Sequence, residues 1–177
     1  YGDWRILLPA GIAIALCVPA YTAGPYPLAY RGWGDVCVLL FYGVIPVCLT
    51  YYVQAGTVTA TTAWISVALG LLSVNILLVN NVRDREQDAA AGKRTTVVRF
   101  GRRFGTTLYL VCAVLAVACS WPAYFYRGAY TWLLFLIFLA FELVTWHDLR
   151  RLSGSDLNRV LGLTARNIWI YTLLLVS

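Results

Sequence analysis

Methionine is absent from the 177 residues, histidine occurs once, and only 12% of the chain is charged. Each shortage removes a class of protein. One histidine, and five cysteines with no Cys-x-x-Cys pair among them, leave no framework for structural zinc or for a disulfide-stapled domain. Cys17, Cys37, Cys48, Cys112 and Cys119 all fall within or at the edge of apolar segments and are expected to be small buried hydrophobes. With 60% hydrophobic residues and a mean hydropathy of +0.71, the scarcity of charge excludes a water-soluble globule of this length. Strict apolar/polar alternation is missing too, which argues against barrel strands. There is no repeat of solenoid period and no low-complexity tract. The chain starts at Tyr1 and ends inside the apolar run 168–176, so it is expected to be an internal piece of a longer protein, and a missing leader is uninformative.

What the sequence does have is long apolar runs, several approaching the roughly 20 residues that cross a bilayer as a helix. Six spans are expected, over 4–21, 36–53, 60–81, 107–126, 130–146 and 160–177. The fold class is therefore all-α, a polytopic transmembrane helical bundle, read as a single domain over 1–177. Successive spans alternate in direction, so the links 22–34, 82–106 and 147–159 share one side. Eleven of the fourteen Lys and Arg residues lie in those three links, among them Arg31, Arg83, Lys93, Arg94, Arg102 and Arg151. Arg5 and Arg127 fall on the other side, and Arg166 lies inside the last span. Positive residues collect in cytoplasmic loops, which makes the basic side cytoplasmic. That asymmetry accounts for most of the +6 net charge, so membrane lipid is expected as a partner and nucleic acid is not.

Chemistry concentrates at the basic end of the third span. Asn80, Asp84 and Asp88 recur every four residues, a spacing that stacks them on one helix face about 6 Å apart. Two carboxylates so placed suit Mg²⁺, which takes a few oxygen ligands and completes its shell with water and substrate phosphates. Gly92 reads as the residue that ends the helix, putting Asp88 in the last turn, where a carboxylate opposes the helix dipole unless a cation sits beside it. Lys93 and Arg94 follow directly, with fixed positive charge suited to phosphate oxygens. A solvated helix end with Arg85 facing Asp88 fits the same spacing. The position at the end of a long apolar helix favours the functional reading.

The stretch from Asn80 through Asp84 and Asp88 to Gly92-Lys93-Arg94-Thr95 and Arg99-Phe100-Gly101 resembles the second aspartate-rich motif of the UbiA superfamily of membrane prenyltransferases. Residues 21–30, Tyr-Thr-Ala-Gly-Pro-Tyr-Pro-Leu-Ala-Tyr, are similar to the signature of that family's menaquinone-pathway branch, and 157–165 to the approach to its last helix. The resemblance implies nine helices, of which these six correspond to the fourth through ninth. It implies a first Asn/Asp-rich motif on the second helix, which has no counterpart here, since Asp84 and Asp88 form the sequence's one Asp-x-x-x-Asp.

The activity implied is Mg²⁺-dependent ionisation of a polyprenyl diphosphate and attack by 1,4-dihydroxy-2-naphthoate on the allylic cation, coupled to loss of the ring carboxylate, in menaquinone biosynthesis. By the same resemblance Asp84 and Asp88 are metal ligands and catalytic residues, Asn80 and Asn81 support metal or diphosphate, and Arg83, Lys93 and Arg94 face the diphosphate. Another aromatic acceptor, a non-catalytic lipid- or ion-binding protein, and an inactive fragment are the alternatives. The resemblance places the protein in a bacterial cytoplasmic membrane with its site toward the cytoplasm.

Tyr21, Tyr26 and Tyr30 are candidate walls for a ring or a cation, or else part of the interfacial aromatic belt. Glu142, one turn inside the fifth span, is a candidate substrate contact or a partner for Arg166. His147 reads as a surface histidine. Residues 94–103 mix basic and apolar side chains and are expected to lie on the membrane surface as a cap over the cavity or to contact anionic headgroups, and the resemblance implies the cap.

Overall fold

The computed structural model describes residues 3–22, 27–122, 125 and 130–176, which are mostly helical with no strand among them. Eight α-helices are named here: α1 (Trp4–Thr22), α2 (Gly34–Leu39), α3 (Ile45–Ala55), α4 (Ala60–Arg83), α5 (Arg85–Ala90), α6 (Thr96–Cys119), α7 (Tyr130–Arg151) and α8 (Leu157–Val176). A π-helical turn, Leu40–Val44, joins α2 to α3 into one rod, Gly34–Ala55. Six segments are long and apolar enough to cross a bilayer, matching the six expected spans in number and order and defining an integral membrane protein.

The central helix is α4, half of whose apolar window is buried against α2, the π turn, α6 and α8. It begins at a true N-cap, where Thr59 Oγ1 accepts the Thr62 N–H at 3.1 Å. Helices in lipid gain little from hiding apolar side chains, so close packing must hold them together. The tightest crossing is at the π turn, where a Cβ built on Gly43 would lie 2.2 Å from the Gly70 Cα. Two apolar clusters fill the interior, one around Leu78, Val82, Val97 and Leu149, the other around Leu72, Phe135, Phe138 and Tyr171. By contrast α1 buries none of its window and meets mainly the 3₁₀ turn Leu28–Arg31.

The end of the charged link is itself helical: one turn over 96–100, a break at Gly101 (φ 86°), then helix to Cys119. Arg102 donates to the Leu149 and Leu152 carbonyls, capping the C-terminus of α7 where a cation is favourable. Of the cysteines, all expected to be buried, only Cys112 is; Cys17, Cys37, Cys48 and Cys119 are half-buried.

The three links expected to share a side are bonded to one another. The Arg94 N–H donates to the Tyr30 carbonyl at 2.8 Å, and Arg83 Nη1 to Asn158 Oδ1 at 2.7 Å. The parity read from charge is thus visible as contact at one end of the bundle.

Candidate functional site

At that basic end a cavity of about 330 Å³ opens between the 3₁₀ turn, the start of α2, the end of α4, α5 and the start of α6. Its walls include Tyr21, Tyr30, Asp35, Asn81, Asp88 and Lys93. The local sequence explains the enclosure. α4 ends at Arg83, and Asp84 leaves helical geometry (φ −94°, ψ 8°), so the chain bends there before α5. The expected continuous helix through Asp84 and Asp88 is therefore broken in dihedral angle but not in hydrogen bonding: Asp84 N–H still donates to the Asn80 carbonyl and Asp88 N–H to the Asp84 carbonyl, both at 2.8 Å.

The chain then stops as predicted. Gly92 sits at φ 74°, its N–H bonded to the Ala89 carbonyl, and the Lys93 N–H reaches back to the Asp88 carbonyl, the paired bonds of a Schellman stop. This reversal throws the Lys93 side chain over the helix end. Its Nζ lies 2.6 Å from Asp88 Oδ1 and 5.5 Å from the centre of the Tyr30 ring. The ammonium is held above the ordinary lysine value, chiefly by its hydrogen bond to Asp88. Overhead, Gly32 (φ 86°) lets the first link pass under the Arg94 carbonyl, which a Cβ there would meet at 2.8 Å.

The predicted residues divide into three groups. Asp88, Asn81, Lys93, Tyr21 and Tyr30 come together in the cavity wall. Asp84, Arg83, Asn80 and Arg94 stand just outside it. Asp84 is clamped by Arg83 Nε and Nη2 at 2.7 and 2.8 Å, which holds its carboxyl below the usual carboxylate range. Arg83 is spent on that clamp and on Asn158, and Arg94 contributes its backbone to the roof while its side chain is exposed. Tyr26 lies outside the described residues.

Glu142 is remote from the cavity. It is fully buried between α6, α7 and α8, close to Tyr109 and Asn167, with neither oxygen in hydrogen-bonding geometry among the described residues. Arg166 does not pair with it: the guanidinium donates to Asn167 Oδ1 at 3.1 Å and stacks on Phe141. His147 is exposed, as expected.

Sequence reasoning missed Asp35. It opens the second span, and its Oδ2 accepts the Thr96 hydroxyl at 2.7 Å, fastening the first link to the cap. The sequence shows an acid directly after Gly-Trp-Gly at the head of an apolar run, a pattern that a solvated helix start shares. Beyond Tyr21, which belongs to both walls, an apolar cavity of about 410 Å³ runs between α1 and the α2–α3 rod, lined by Ile14, Leu28, Phe41 and Ile45.

Magnesium chemistry has a partial foundation in these residues. Among the described residues no three Asp, Glu, His or Cys side chains gather as a metal group. Asp88 nevertheless presents a carboxylate to the cavity beside the Asn81 amide, with a lysine ammonium already standing against it as a cation would. One or two carboxylates with substrate phosphates are what Mg²⁺ asks of a protein, so the donor set fits.

Fold and site together define an integral membrane protein with a polar, acid- and lysine-bearing chamber at one end of its bundle and an apolar chamber beside it. The chain belongs to the UbiA prenyltransferase family, whose pattern matches residues 1–171. It is 37% identical over 140 residues to the 1,4-dihydroxy-2-naphthoate octaprenyltransferase of Haemophilus influenzae, covering 78% of this chain and 45% of that protein. It is 38% identical over 116 residues to the enzyme of the same name in Escherichia coli, covering 62% and 37%. To the 2-carboxy-1,4-naphthoquinone phytyltransferase of Synechocystis it is 30% identical over 145 residues, covering 76% and 47%. The chain thus spans somewhat under half the length of these relatives. No solved structure matches it.

Proposed function

We propose that these residues form part of an enzyme that transfers a polyprenyl group from polyprenyl diphosphate to 1,4-dihydroxy-2-naphthoate in menaquinone biosynthesis, with Mg²⁺ as cofactor. The observation that carries this reading is the cavity itself, which sets Asp88, Asn81 and Lys93 beside the rings of Tyr21 and Tyr30, with an apolar chamber adjoining. The names of the relatives supply the substrate class. The concentration of basic residues in the links around the cavity supports a cytoplasmic orientation for it, in a bacterial cytoplasmic membrane.

In this reading Asp88, with Asn81 beside it in the wall, would hold Mg²⁺, joined by Asp84 and Asn80 once Arg83 releases the Asp84 carboxylate, and the metal would supply charge neutralisation for the departing diphosphate. Lys93 then releases Asp88 and turns its ammonium to the diphosphate oxygens, where negative charge grows as the allylic C–O bond breaks. The pre-existing Asp88–Lys93 pair keeps both charges solvated by each other until substrate arrives. Tyr21 and Tyr30 offer ring faces to the cationic carbon and to the flat acceptor. The isoprenoid tail lies in the apolar chamber past Tyr21. Arg83 and Arg94 act indirectly, the first by fixing Asp84, the second by closing the roof.

The test is transfer by the full-length protein from labelled polyprenyl diphosphate to dihydroxynaphthoate, with and without Mg²⁺. Prenylated product that requires both the metal and Asp88 supports the reading. Binding of the diphosphate without its release indicates a lipid carrier instead.

A further inference from the structure

Arg166 is a permanent charge exposed at the wrong depth for water to reach it. It stands on the open face of α8, and its guanidinium stacks on Phe141 of α7, 5.4 Å from the ring centre. Phe141 lies eleven residues after Tyr130 and ten before Arg151, near the middle of a 22-residue span. At about 1.5 Å per residue, the stacking holds the guanidinium about 15 Å from either end of that span, where the side chain does not reach the headgroups. A guanidinium does not shed its proton to escape such a place. Intramembrane arginines therefore face a partner or a polar interior.

The chain supplies only part of that partner. One N–H donates to Asn167 Oδ1 at 3.1 Å. Of the eight acids in the sequence, Glu142 alone lies at mid-depth in a span. It attracts Arg166 from inside the bundle but is fully buried there, and the two ion pairs among the described residues, Arg83–Asp84 and Lys93–Asp88, lie elsewhere. Lipid phosphates sit at the interface, a half-thickness of hydrocarbon away. A substrate in the cavity at the basic end would leave the charge uncovered between turnovers. A carboxylate on an adjoining helix meets both the depth and the permanence.

The face around Arg166 has the form of a helix seam. Beyond its first turn, α8 exposes Gly162, Arg166, Trp169, Leu173 and Val176, at steps of four, three, four and three residues. That is the spacing by which one helix packs along another. Gly162 has open space where a Cβ would stand, so a second backbone can approach closely one turn from the arginine. The chain spans under half the length of its relatives, which leaves ample sequence in a protein of that size for another span.

We infer that this face of α8 is the packing seam for another membrane helix of the full-length protein, and that the helix carries an Asp or Glu paired with Arg166 near the bilayer midplane. The inference stands on the membrane-spanning fold and is independent of the prenyl-transfer reading.

The experiment maps the neighbour and then swaps the charges. The full-length protein is made with a benzophenone amino acid in place of Trp169, irradiated in its membrane and digested for mass spectrometry. Position 169 is expected to couple to a membrane-spanning peptide from outside residues 1–177, with an acid within about two turns of the attachment point. Coupling only to lipid, coupling to a second copy at doubled mass, or a neighbouring span without an acid overturns the inference. Arg166→Glu is expected to lower the thermal midpoint in detergent by about 5 °C or more, and changing the mapped acid to arginine in the same protein to recover about half of that loss or more. If Arg166→Glu does not accumulate, Arg166→Gln takes its place, with the mapped acid changed to its amide as the rescuing substitution. A second substitution that rescues nothing overturns the pairing.

Discussion

Two polar clusters interrupt the apolar helices, and they differ in what faces them. The one at the basic end surrounds a cavity: Asp88 is held by Lys93 and Asp35 by Thr96, and both line the chamber together with Asn81. The one between α6, α7 and α8 is sealed: Glu142, Tyr109, Thr145, Thr164 and Asn167 are buried against one another, with Asn167 Nδ2 donating to Thr145 at 3.0 Å and the Tyr109 and Thr164 hydroxyls 3.2 Å apart. Both look alike as polar residues in apolar runs. Packing, not polarity, separates an open polar chamber from a closed polar cluster.

The sharpest way to break that contrast is to neutralise one acid in each cluster. Asp88→Asn in the full-length protein is expected to lower prenyl transfer about 100-fold or more, in the range for losing a group that stabilises developing charge, with little change in melting temperature. Turnover near wild type would remove Asp88 from the chemistry. Filling the crossing that anchors the central helix attacks the frame instead. Gly43→Ala drives a methyl into the Gly70 backbone and is expected to cost about 3 kcal/mol, read as a lowered thermal midpoint in detergent.

Glu142→Gln should separate the clusters from the other side. Removing a buried charge while keeping its shape is expected to leave turnover unchanged and to alter stability by about 1 kcal/mol or less, in the stabilising direction. A loss of activity matching that of Asp88→Asn would place Glu142 in the chemistry after all.

The smallest effect is on pH. The Asp84 carboxyl is depressed by Arg83, so its contribution is present above the ordinary carboxylate value and is lost as pH falls through the lowered one. The Lys93 ammonium is raised by Asp88, so its contribution is complete below the ordinary lysine value and disappears as pH rises through the raised one. Thermal midpoints should therefore be flat with respect to these two groups between about pH 5 and 9 and decline only outside that window. Arg83→Gln is expected to remove the acid-side decline alone.

The helices were legible in the sequence because continuous apolar runs admit one solution in a bilayer. The spacing of Asp84 and Asp88 and the stop at Gly92 were equally readable, since both depend on residues within two turns of each other. What could not be read was any contact between distant links. Thr96 and Asp35 are 61 positions apart, and nothing in Gly-Trp-Gly-Asp distinguishes a cavity wall from a solvated helix start. Basic residues misled for a related reason: Arg83, Arg94 and Arg102 were legible as charge, whereas their work is a side-chain clamp, a backbone bond and a helix cap. Glu142 carried the signature of function, and only the packing of three helices around it shows that it is closed off.

The bond from the Arg94 amide to the Tyr30 carbonyl uses no side chain at either end. Beside the Thr96–Asp35 side-chain bond, the roof over the chamber is therefore fastened by atoms that nearly every residue possesses. Side chains along its outer rim can change without undoing that backbone bond, whereas proline at position 94, which lacks the amide hydrogen, would remove it.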